Sequence, residues 1–136
     1  MKRIGWWGIM SLWIVMMLPS LVFGGDVDGS KPVVCAIMET FQCAPGQECL
    51  RGNAESVGLP YFFQVNFQEK KILATREGKE ETTKIERIER QGEMWILQGI
   101  ELRGWAITIS ETTGKMVLSA AGDDEGFVLF GACTVK

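Results

Sequence analysis

Histidine is absent from all 136 residues. Its absence removes the Ser-His-Asp and Cys-His constellations, together with the commonest side-chain ligand of zinc and other transition metals. Base is scarcer than acid: 14 Lys and Arg stand against 17 Asp and Glu, a formal charge of −3. No basic stripe offers the phosphate contacts that nucleic-acid binding draws on, so nucleic acid is excluded as a partner. No C-x-x-C occurs, which argues against a thioredoxin-like redox pair. The length suits one domain, since a second core would have too little chain.

Lys2 and Arg3 precede an uncharged apolar run, Ile4 to Phe23, which Pro19 interrupts shortly before the small-residue ending Val22-Phe23-Gly24. This reads as a signal peptide over residues 1–24, with Gly25 as the new N-terminus and a cut after Gly25 as the near alternative. The run exceeds the roughly 7 to 15 residues of an ordinary h-region and approaches the ~20 that span a bilayer. An uncleaved anchor is therefore the other reading, and it is the one way the sequence offers to a membrane. No cysteine sits at the end of the run, which argues against a lipoprotein. Export makes the protein periplasmic or secreted and carries all four cysteines into an oxidising compartment.

Residues 25–31 are polar and Gly-rich, the composition of a flexible leader, and the single β domain is placed at 32–136. Within it, Tyr61, Phe63, Val65 and Phe67 alternate with Phe62, Gln64, Asn66 and Gln68, the period of a half-buried strand. Further strands are expected at 33–38, 71–76, 82–90, 93–100, 103–110, 115–120 and 126–133, divided by Gly78, Gln91-Gly92, Gly114 and Gly122-Asp123-Asp124. Trp105, Ile107 and Ile109 share a face that Met116 and Leu118 match after the Thr113-Gly114 turn, as in a meander hairpin. Seven or eight such strands with no long helix predict an all-β fold, a small antiparallel meander, curled sheet or barrel. The charges of 79–90 fit i,i+4 pairs on a helix as well, but two isoleucines bury too little to hold a lone helix. A strand blunted by charge at the sheet edge is the preferred reading.

Cys35, Cys43, Cys49 and Cys133 follow no zinc-knuckle spacing, and neither metal nor cofactor is expected. Two disulfides are. The preferred connectivity joins Cys43 to Cys49 across the Pro45-Gly46 turn and Cys35 to Cys133, first strand to last; the rival joins Cys35 to Cys49 and Cys43 to Cys133. Asp26-Val27-Asp28-Gly29-Ser30 has the alternation of a calcium loop without its later acidic ligand, and Asp123-Asp124-Glu125 reads as a hairpin loop. Among the carboxylates Glu39 stands out because it follows the apolar Ala36-Ile37-Met38. Phe62, Trp95 and Trp105 are the candidate ligand-binding residues. The two tryptophans offer barrel-lining area, and the alternation sets Phe62 opposite the core face.

The string from Cys35-Ala-Ile-Met-Glu-Thr-Phe-Gln-Cys43 through Cys49, Leu59-Pro60, Val65-Asn66-Phe67, Leu97-Gln98-Gly99, Arg103-Gly104-Trp105 and Gly126 to Cys133 resembles a group of small exported bacterial proteins whose function is uncharacterised. The resemblance covers nearly the whole chain after the leader and implies an exported four-cysteine β domain. It carries over no catalytic residue, and Asn66 stands where such proteins carry Asp. The expected function is non-enzymatic binding of a small apolar ligand or of an envelope protein partner. The alternatives are a hydrolase or lyase using two carboxylates, Glu39 among them, and a secreted protease inhibitor presenting the Cys43–Cys49 loop.

Overall fold

The computed structural model describes residues 26–136. The signal peptide and its cleavage site lie outside the described residues. The chain forms ten strands, β1 (Val33–Cys43), β2 (Leu50–Gly52), β3 (Phe62–Asn66), β4 (Lys71–Arg76), β5 (Lys79–Lys84), β6 (Arg87–Gln91), β7 (Met94–Gly99), β8 (Gly104–Ser110), β9 (Lys115–Ala121) and β10 (Gly126–Val135). Among the described residues the one helical element is a 3-10 turn at Glu55–Val57, and no helix is long and apolar enough to cross a membrane.

All neighbouring strands are antiparallel and follow the order β5-β4-β3-β1-β10-β9-β8-β7-β6, with β2 added beside β1. The sheet thus consists of two meanders, β3 to β5 and β6 to β10, sewn together by β1. It curls, and its two edges, β5 and β6, are consecutive in the chain. The expected strand at 82–90 is in fact two, and the break explains the curl. Ile85 N–H still bonds the carbonyl of Lys70, the residue just before β4, at 2.9 Å, whereas Glu86 N–H bonds that of Gln98 of β7 at 2.8 Å. The chain leaves one edge and joins the other within a single peptide, and Ile85, fully buried, plugs the corner. The result is a half-barrel closed at this corner, its edge strands as charged as expected.

Side chains of even spacing fill the inside: Val33, Cys35 and Ile37 of β1, Phe63 and Val65 of β3, Leu97 of β7, Ile107 and Ile109 of β8, Met116 of β9 and Leu129 of β10. The predicted hairpin has the expected register, Ile107 opposite Leu118 and Ile109 opposite Met116. Its Gly114 holds φ 68°, and a Cβ there would lie 2.2 Å from the Cys133 carbonyl oxygen, so only glycine fits where the turn meets β10. Both disulfides pair as preferred, Cys35 with Cys133 and Cys43 with Cys49, and no cysteine is free.

The leader departs from its expected looseness. Val27 is completely buried, its N–H bonded to the Glu111 carbonyl at 3.0 Å and its carbonyl accepting the Trp95 indole N–H at 2.7 Å. One apolar side chain suffices because Trp95 and Phe67, with ring centroids 5.1 Å apart, help close the same end of the barrel. Burying it contributes about 2 kcal/mol. Asp28 fixes the following turn: the Ser30 hydroxyl and backbone N–H both donate to its Oδ1, at 2.6 and 2.8 Å, and hold its carboxyl below its ordinary value. A depressed carboxyl stabilises the fold above its unfolded pKa and ceases to do so as pH falls through the lower folded value. Acid titration followed by Trp95 fluorescence should therefore show a step below about pH 4 that Asp28→Asn lacks. Coincident curves for the two proteins would show that this turn does not hold the leader.

Candidate functional site

At the opposite end the interior is not filled. The inward positions there are small or retracted: Ala74 on β4, Gly99 on β7 and Ala120 on β9 stand where Ile109, Met116, Phe67 and Trp95 stand at the leader end. The space left is a cavity of about 890 Å³, walled by Ile37, Phe63, Ile72, Trp105, Leu118, Phe127 and Leu129. That volume falls within the roughly 300–1,000 Å³ of small-molecule sites. Trp105 forms its wall by lying across Gly99, its cross-strand partner, where a Cβ would come within 2.1 Å of the indole.

A short irregular segment covers one side. Asn53 and Ser56 exchange hydrogen bonds, Oδ1 accepting from Ser56 N–H at 3.0 Å and Ser56 Oγ from Asn53 N–H at 3.1 Å. The turn this makes buries Ala54, and the Leu59 amide bonds its carbonyl at 2.9 Å. Val57 and Leu59 are thereby set against the cavity.

The mouth is polar. Arg103 stacks over Phe127, 4.8 Å from guanidinium carbon to ring centre, and pairs with Glu125 at 2.9 Å; Gln42 donates to the same carboxylate at 3.1 Å. Across the opening Arg76 pairs with Glu81 at 3.5 Å. Glu101 turns back to accept the Lys84 amide at 3.2 Å. Both guanidiniums on this rim are thus already matched by carboxylates.

The candidate ligand-binding residues are not brought together. Trp105 lines the cavity, Trp95 closes the leader end under the Arg90 guanidinium, and Phe62 lies on the outer face of the sheet, 64% exposed. Trp95 pairs across strands with Ile109 and Trp105 with Gly99, so the two indoles share the interior at different heights. Phe62 belongs instead to an outer apolar stripe with Met38 and Phe130, and Phe130 packs edge-on against Phe41 at 6.0 Å. An outer hollow of about 890 Å³ lies between Phe62, Tyr61 and Leu73.

Glu39 is not in the cavity either. A bulge between Ile37 and Glu39 pushes Met38 out and reverses the alternation, so Thr40 is buried while Glu39 faces outward and pairs with Arg51. The Cys43–Cys49 loop is exposed from Pro45 onward. Asp28 spends its carboxylate on Ser30, and among the described residues no group of three or more Cys, Asp or Glu is placed to hold a metal ion.

The chain matches no family model, no curated protein and no solved structure. Of the cavity walls, Phe63, Trp105 and Leu118 were legible as sharing the core face of their strands. What sequence reasoning missed was the part played by Ala74, Gly99 and Ala120, whose smallness makes the space.

Proposed function

We propose that the protein is a non-enzymatic, exported carrier or sensor of a small apolar molecule, held in the cavity beneath Arg76 and Arg103. The observation that carries this reading is an apolar hollow of about 890 Å³ at one end of a barrel whose other end is densely packed. A core built only for stability fills its space, because each void forfeits dispersion contacts. The rim narrows the ligand class. Since Arg76 and Arg103 are neutralised by Glu81 and Glu125, and Glu101 adds a third carboxylate, an anionic head finds no unpaired cation there. An uncharged polar head on a single apolar chain fits better. Two disulfides support residence in an oxidising compartment, periplasmic or extracellular.

The test is a titration of the exported protein with a long-chain alcohol and with the carboxylic acid of equal chain length, read by Trp105 fluorescence and native mass. Saturable uptake of the alcohol, at least about tenfold tighter than the acid, is expected. A bare protein mass and no uptake of either would end the proposal and favour a second reading, a protein partner on the outer stripe of Met38, Phe62 and Phe130. All three are large apolar side chains left exposed on the outside of the sheet.

A further inference from the structure

The loop between β7 and β8, residues 100–103, borders the cavity mouth and sets two large aliphatic side chains in the open. Ile100 is 73% exposed and Leu102 wholly so, while Glu101 between them folds its carboxylate back onto the Lys84 amide. The Glu101 carboxylate is tied to the Lys84 amide at the exposed rim, and the two aliphatic side chains face outward beside it. Leu102 also holds φ 63°, a left-handed conformation that branched residues seldom adopt and that persists where surrounding structure imposes it. Exposure of both aliphatic side chains is unfavourable in water. An apolar phase at the mouth would bury Ile100 and Leu102 beside the opening through which an apolar ligand must pass.

We infer that this loop docks the mouth onto a lipid surface, with Ile100 and Leu102 inserted among the acyl chains, and that the ligand enters and leaves there without crossing water. The inference rests on the cavity reading above. The rim selects the kind of surface: Glu81 and Glu101, with Glu125 held there by Arg103, outnumber Arg76 and Arg103, so an uncharged, zwitterionic bilayer is accepted and an anionic one repelled. The packed leader lies at the far end of β8, about 20 Å from the mouth for a seven-residue strand. The mouth therefore meets its surface with the end of the domain remote from where residue 26 begins.

The experiment loads the exported, oxidised protein with a fluorescent long-chain alcohol and follows transfer to phosphatidylcholine vesicles carrying a quencher. The transfer rate should rise with vesicle concentration. Ile100→Asp and Leu102→Asp should each slow it about tenfold, and Ile100→Asp should leave the affinity for the alcohol, measured without vesicles, unchanged. A rate independent of vesicle concentration, or unaltered by both substitutions, would overturn the docking, as would faster transfer to phosphatidylglycerol vesicles. If no alcohol binds at all, the cavity reading fails by itself, and docking is then decided by cosedimentation with phosphatidylcholine vesicles. Retention lost in both variants would uphold it, and equal behaviour of native and variant protein would dismiss it.

Discussion

Replacing Cys35 and Cys133 together by serine is expected to lower stability by about 4 to 5 kcal/mol and Tm by roughly 20 °C. The two residues are directly paired between β1 and β10 and 98 positions apart in sequence, so the bridge closes almost the whole described chain into one loop. Without it the unfolded ensemble regains that loop's freedom. The site also matters: β1 and β10 form the seam between the two meanders, and each meander alone leaves half of the interior uncovered. The seam keeps its backbone ladder when the sulfurs are gone, so the variant should still fold at low temperature. Cys43 and Cys49 close only a short turn, and their loss is expected to cost about 2.4 kcal/mol in the same entropy model. Denaturant unfolding of the two double variants, with secreted yield as a second readout, checks both the size and the order. Equal midpoints would show that loop length does not govern the effect.

Period-two alternation and glycine punctuation were sufficient for most of the strands, because each depends on neighbours a few residues away. The failures share one cause: they depend on residues far apart in sequence. Alternation along β1 extends unbroken from Val33 to Phe41 on paper, and nothing local announces that Met38 is squeezed out. Gly131 opposite Ile37, where a Cβ would strike the Ala36 carbonyl, and Phe130 opposite Glu39 frame the bulge from the far end of the chain. Glu39 therefore looks half-buried in sequence and stands outside in the fold. Val27 reads as a stray apolar residue in a polar leader, and its burial needs Trp95 and Glu111. For the candidate site, alternation gives the face of a residue but not its height in the barrel. Trp95 and Trp105 point the same way, yet one closes a packed end and the other walls the cavity. Height follows from strand register, which the sequence does not state.

Ala120→Phe is expected to weaken binding of the long-chain alcohol by about a hundredfold while costing little stability. The Ala120 side chain faces inward on β9, beside Leu118 and opposite Trp105, and its smallness leaves part of the cavity open. A phenyl ring there takes the ligand's space. Overpacking a filled core usually costs about 1 to 3 kcal/mol, but this ring enters a void and gains contacts with Phe127 and Trp105, so its burial offsets the strain. Ala106→Phe is the matched control: Ala106 pairs with Ser119 on the outer face of the same hairpin, where an added ring meets no cavity. Titration of both variants with the alcohol, alongside thermal unfolding, separates two roles for this end of the barrel. Lost binding with an unchanged or raised Tm in Ala120→Phe alone means that the space is kept for a ligand at the expense of packing. Unchanged binding in both, with a higher Tm for Ala120→Phe, means that the hollow is a packing defect and that the outer stripe carries the function.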